Sequence, residues 1–111
     1  MTQNLQSFAL ADVAAVLDTL PPDQRAHYPI RHGTMRVGLY APVGTDTQTP
    51  HGQDELYIIV SGAGQFVKDG ERRPFKAQDV FFVEAGAVHR FEDFSEGFST
   101  WVIFWGPEGG E

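Results

Sequence analysis

The sequence predicts an all-β chain, an antiparallel sandwich or barrel carrying one short N-terminal α-helix. Three observations lead there. About seven short segments rich in β-branched and aromatic residues follow one another from residue 35 onward. Turn-forming residues, not helical periods, separate them. Helical spacing of apolar residues occurs once, ahead of the Pro21-Pro22 pair.

Taken in order, residues 7–20 place Leu10, Val13, Ala14, Leu17 and Leu20 at helical spacing, with Ser7 available as a cap and Pro21-Pro22 as a stop. This predicts an amphipathic helix packed on the body of the domain. The segments MRVGLY, ELYIIVSG, GQFVK, ERRPFK, DVFFV, VHRFEDF and FSTWVIFW then read as strands filling residues 35–105. Pro42 and Gly44, Gly62 and Gly64, Gly86 and Gly97 punctuate them. Asp69-Gly70 is the sharpest hairpin signal, because a type I′ turn needs positive φ at both central residues. The tail GPEGGE reads as frayed. With no repeat, linker or low-complexity tract before it, residues 1–111 are expected to form a single domain.

Composition narrows the function. Fourteen aromatic residues in 111, nine of them Phe, indicate a packed core rather than disorder. Fifteen acidic against eight basic side chains give a net charge of −7, which disfavours a nucleic-acid partner. Without cysteine, neither a disulfide framework nor a thiolate metal site is available. A metal would need His and carboxylate. No signal-peptide pattern and no long apolar window is visible, so a cytoplasmic protein off the membrane is expected.

The stretch TPHGQDELY sets an imidazole and two acids at the lip of an apolar strand. Because strand side chains alternate, Glu55, Tyr57 and Ile59 share one face, and His51 lies close enough to turn onto it. Asp54 then points the other way, as a structural or solvent-facing residue. His89 follows a second glycine turn in EAGAVHRFEDF. Two imidazoles and one carboxylate converging in a barrel would bind a divalent metal while leaving coordination positions open. The bland alternatives are a polar loop for His51 and an aggregation-blocking edge carboxylate for Glu55. Tyr57, Phe91 and Trp101 have parity compatible with the barrel interior, as core or as pocket walls. His27 and His32 lie apart and read as surface residues.

These residues resemble the cupin superfamily, small jelly-roll barrels with two sequence motifs. Glu55, six further residues and Gly62 match the end of the first, G-(x)5-H-x-H-(x)3,4-E-(x)6-G, with His51 as its second histidine. Gly86 and His89 match the second, G-(x)5-P-x-G-(x)2-H-(x)3-N, with Asp93 where the asparagine would be. Thr49 stands at the first histidine, the opening glycine is shifted by one to Gly44, and Gln78 and Glu84 replace a glycine and a proline.

The resemblance implies a cupin jelly-roll barrel with His51, Glu55 and His89 holding one divalent metal ion per chain, Fe, Mn, Zn, Ni or Cu. Gln48 is a further polar candidate beside the metal, and Thr49 is expected to shape the loop or to contribute a weak hydroxyl contact or a bridging water. Asp93 is expected behind His89 or at a turn. Cupins include dioxygenases, isomerases, epimerases, cyclases, storage proteins and sensors. A metal-dependent enzyme acting on a small oxygenated or aromatic molecule is therefore one expectation, and a non-catalytic small-ligand-binding or sensing module the other. A barrel whose metal site has decayed is a third. A homodimer is expected, since cupins pair through outer sheets and apolar outer faces need cover.

Overall fold

The computed structural model of the protein describes residues 6–111. Among the described residues one helix precedes eight strands: α1 (Leu10–Leu17), β1 (Ala26–His32), β2 (Met35–Tyr40), β3 (Asp54–Ser61), β4 (Ala63–Lys68), β5 (Glu71–Lys76), β6 (Val80–Val83), β7 (His89–Glu92) and β8 (Ser99–Trp105). The strands form a five-stranded sheet, β1-β2-β8-β3-β6, and a three-stranded sheet, β5-β4-β7, all pairs antiparallel. This is the mostly-β architecture that the sequence predicts, with one short helix among the described residues. Asp69 and Gly70 take φ of 50° and 84°, as the hairpin signal requires of a type I′ turn.

The side chains between the sheets form an aromatic-rich core. Tyr57, Phe66, Phe75, Phe91, Phe98 and Phe104 are buried there with Ile59, Val83 and Val102. Phe91 meets Tyr57, Phe66, Phe75 and Phe98 at centroid distances of 4.9, 5.0, 5.4 and 4.7 Å. Each such side chain contributes about 1.5–3 kcal/mol of burial free energy.

Four expectations change in the structure. The helix is shorter than 7–20. Ala9, in extended conformation, is its N-cap without a side-chain bond, so Ser7 does not cap it. The chain before it is not helical, and Phe8 stacks edge-on against Trp101 at 5.4 Å. A strand also precedes residue 35. Its sequence, AHYPIRH, hides it, because Pro29 cannot donate to a ladder. As β1 is an edge strand and its register shifts between His27 and Ile30, the proline is accommodated. Gly38 permits the approach, since a Cβ there would lie 2.0 Å from the His27 carbonyl oxygen.

Trp101 faces outward rather than into the barrel. It pairs with Leu39 and Ile58, while Thr100, Val102 and Phe104 take the inner positions. Its role is to floor the helix, packing against the cluster of Val13, Leu17, Leu39 and Ala41. The tail, finally, is tied down: Gly109 N donates to Gly52 O at 2.7 Å and Glu111 N to Asp54 Oδ2 at 3.1 Å.

Candidate metal centre

Three pieces of chain meet at one end of the barrel. β3 supplies Glu55 and Tyr57, whose shared inward face follows from strand alternation. The loop 43–53 supplies Asp46, Gln48 and His51. β7 supplies His89 as its first residue. Two bonds join the loops: Gly86 N donates to His51 O at 2.8 Å, and Ala85 N donates to Asp54 Oδ1 at 2.9 Å. Asp54 is therefore a buried brace on the far side of β3, holding both the β6–β7 loop and the tail. It is structural and not solvent-facing.

The three residues anticipated as ligands come together. His89 Nε2 lies 3.1 Å from Glu55 Oε1, and His51 Nε2 lies 3.8 Å from the same oxygen. One donor atom from each falls within 4.8 Å of the others, close enough to share a single ion. Glu55 is 1% exposed and His89 3% exposed, whereas His51 is half-buried at the cavity wall.

Proton counting shows what this cluster wants. His89 Nδ1 lies 2.8 Å from the Ala87 carbonyl oxygen, which can only accept, so Nδ1 carries the proton. In the neutral ring Nε2 then presents a lone pair toward Glu55 Oε1. That oxygen is the one buried side-chain polar atom without a hydrogen-bond partner among the described residues. Two facing lone pairs in a dry site are unfavourable until a cation or a proton comes between them. His89 responds accordingly. Burial lowers its pKa, but Glu55 and the Ala87 carbonyl outweigh burial, and the net shift is upward. His51 shifts downward, chiefly through burial, which favours the neutral ligating form. Burial and the neighbouring Glu55 push the Tyr57 phenol well above its usual range, so it remains a hydroxyl.

Tyr57 and Gln48 complete the group. The Tyr57 hydroxyl donates to Gln48 Oε1 at 2.8 Å and stands 3.1 Å from His89 Nε2. A cavity of about 280 Å³ opens beside these groups, walled by Tyr28, Tyr40, Thr47, Thr49 and Val102. Its size suits a small molecule.

Other residues singled out in the sequence lie elsewhere. Asp93 is at an exposed turn with φ 51° and pairs with Arg72 at 3.3 Å, away from the His89 nitrogen that meets Glu55. His27 and His32 are exposed on β1. Gln53 turns away to donate to the carbonyls of Thr34 and Gly106 at 3.0 and 2.9 Å. Thr49 lines the cavity from an exposed position. Asp46 is the residue that sequence reasoning missed. It is 6% exposed and binds Tyr40, Gln48 and Phe91, partners that nothing in its local pattern announces.

A two-sheet barrel with this motif pair and this donor cluster defines a class, and comparison with known proteins agrees. Residues 36–103 match the family model described as a cupin domain, and the chain belongs to that family. It is 41% identical over 81 residues to an uncharacterized protein of Streptomyces coelicolor, covering 71% of this chain and 77% of that one. A solved Rhizobium leguminosarum protein of unknown function superposes with a TM-score of 0.72 at 21% identity, over 95% of this chain and all of that one (100%). A solved Neisseria meningitidis protein gives 0.68 at 18% identity, over 91% and 100%.

Proposed function

We propose that this protein is a metal-binding cupin in which His51, Glu55 and His89 hold one divalent ion and present it to a small oxygenated or aromatic molecule in the barrel cavity. The observation that carries this reading is the buried, unpartnered Glu55 Oε1 facing the His89 Nε2 lone pair. Nitrogen and carboxylate donors without thiolate suit Fe, Mn, Zn, Ni or Cu. When bound, such an ion supplies Lewis acidity, or oxygen activation if it is iron.

The chain's own residues define the rest. Thr47 and Thr49 line the cavity, and the tyrosine rings of Tyr28 and Tyr40 give it an apolar wall with hydroxyl edges. Tyr57 Oη, whose proton goes to Gln48 Oε1, stands beside His89 with a lone pair that can accept from a ligand atom there. These features support an enzyme of the dioxygenase, isomerase or cyclase type. A non-catalytic binding or sensing module is the second reading. It is favoured by a cavity wall furnished mainly with hydroxyls and amides, which hold a ligand without exchanging protons with it.

Elemental analysis of protein purified without chelator or histidine tag tests the metal. One equivalent per chain is expected, falling to near zero in a His51→Ala, His89→Ala double variant. Full occupancy in that variant would falsify the ligand assignment. Oxygen uptake with candidate diols or catechols then separates an oxygenase from a binder.

The same reading includes a homodimer. The outer face of the five-stranded sheet carries Val37, Ile58, Trp101 and Ile103 around an apolar groove of about 420 Å³. On the neighbouring edge strand Val80 and Phe82 are 57% and 50% exposed. A face this apolar is unfavourable in water, and a second copy of the chain offers the matching surface.

A further inference from the structure

We infer that Gln48 Oε1 is a fourth protein donor to the metal, replacing the imidazole that Thr49 does not supply, and that Asp46 locks it in place. This rests on the metal-centre reading above and specifies its donor set as two nitrogens and two oxygens. The donor that the motif places at Thr49 is supplied instead by the adjacent residue.

The orientation of the amide is fixed by chemistry. Gln48 Nε2 lies 2.6 Å from Asp46 Oδ2, and a carboxylate can only accept, so the NH₂ group must be on that side. The carbonyl oxygen therefore points into the site. Asp46 itself cannot swing away. Its Oδ1 accepts from the Tyr40 hydroxyl at 2.5 Å and from Gln48 N at 3.1 Å, and its Oδ2 also accepts from Phe91 N at 2.8 Å. Four acceptor directions are used and the carboxylate is buried. One carboxylate thus ties the loop carrying Gln48 to β2 and to β7, two residues beyond His89.

Distances place the oxygen beside His51 and, across the Tyr57 hydroxyl, on the His89 side of the cluster. Gln48 Oε1 is 3.2 Å from His51 Nε2 and 2.8 Å from the Tyr57 hydroxyl, which in turn is 3.1 Å from His89 Nε2. With Glu55 Oε1 at 3.1 Å from His89 Nε2 and 3.8 Å from His51 Nε2, these atoms close a ring. Donors about 2.1 Å from one ion stand about 3.0–3.4 Å apart, whether the geometry is octahedral or tetrahedral. Gln48 Oε1 meets that spacing to His51. A carbonyl oxygen has two lone pairs, so it can accept from Tyr57 and still face a cation. Thr49, one residue on, is exposed and makes no hydrogen bond in the site among the described residues. A carbonyl is a harder donor than imidazole, which tilts the site toward Mn and Fe and away from Cu.

The test titrates Mn²⁺ and Co²⁺ into wild-type, Gln48→Leu, Thr49→Ala and His89→Ala proteins, reading free Mn²⁺ by EPR and the Co²⁺ absorption spectrum. Gln48→Leu is expected to weaken Mn²⁺ binding at least tenfold, the lower end of what even an outer partner costs a metal site, and to alter the Co²⁺ bands. Thr49→Ala should change neither. In wild-type protein, Zn²⁺ should also shift the Gln48 side-chain ¹³Cδ resonance while leaving that of Gln53 in place, a readout independent of any variant's folding. Wild-type affinity and spectrum in Gln48→Leu, or an unmoved Gln48 resonance, overturns the inference while loss of binding in His89→Ala leaves the metal centre standing. Absence of binding to the wild-type protein overturns both.

Discussion

At the scale of single residues, the most informative position is one where the family glycine is missing. Gln78 keeps the left-handed backbone that glycine would supply, at φ 75°. A side chain in that region costs about 1–2 kcal/mol, partly offset by the larger unfolded-state entropy of glycine. Gln78→Gly is therefore expected to stabilise the protein by about 0.5–1 kcal/mol, read as a higher urea midpoint at unchanged slope. A lower midpoint would show that the Gln78 side chain contributes more than its backbone strain costs. Asp93 makes the same point about motifs. It occupies the family's asparagine position and adopts positive φ, yet its carboxylate serves a surface pair with Arg72 and leaves His89 to be oriented by Ala87. A motif position can preserve a backbone shape while its side chain changes job.

Among the elements, α1 shows why a short helix can matter. Eight residues are too few for a helix to persist alone in water. It forms because Val13 and Leu17, 2% and 0% exposed, close the outer face of the large sheet over Leu39 and Ala41. Leu17→Ala should destabilise by about 2–5 kcal/mol. Leu10→Ala, at a position 41% exposed, should change stability by less than about 1 kcal/mol. Equal losses in chemical denaturation would mean that the helix does not dock as described. Arg25 reinforces the docking from β1's approach, donating to the carbonyls of Ala41 and Leu17 at 2.7 and 3.0 Å. The tail behaves as an element too, since its bonds to Gly52 and Asp54 hold the strand that carries Glu55.

Over the whole molecule, two faces of the large sheet divide the work. The inner face builds the core and the donor cluster; the outer face carries the helix at one end and open apolar surface at the other. If that surface pairs two copies, light scattering at micromolar concentration should give twice the chain mass. Placing charges there, as in Ile58→Glu with Phe82→Glu, should give a folded monomer. A wild-type monomer would remove the homodimer from the reading. The His51, Glu55 and His89 cluster lies on the opposite face, so the monomeric variant should bind a divalent ion as the wild-type protein does.

The sequence by itself determined the fold class, the type I′ turn at Asp69-Gly70 and the inward parity of Glu55 and Tyr57, while the meeting of His51 with His89 was implied by the resemblance of both motifs to a known family. Alternation and turn chemistry are local rules, and the spacing of a motif encodes local geometry. Tertiary structure decided the rest. β1 exists because an edge tolerates Pro29, and an edge is defined only by the other strands. Trp101 faces the helix because Leu39 and Ile58 pair with it across the sheet. Asp46 and the amide of Gln48 acquire meaning from Tyr40 and Phe91, far along the chain, whose donors fill the carboxylate and turn one oxygen toward the site. Hydrogen bonds between distant residues satisfy buried polar groups only after the chain has folded, so no local pattern has to record them.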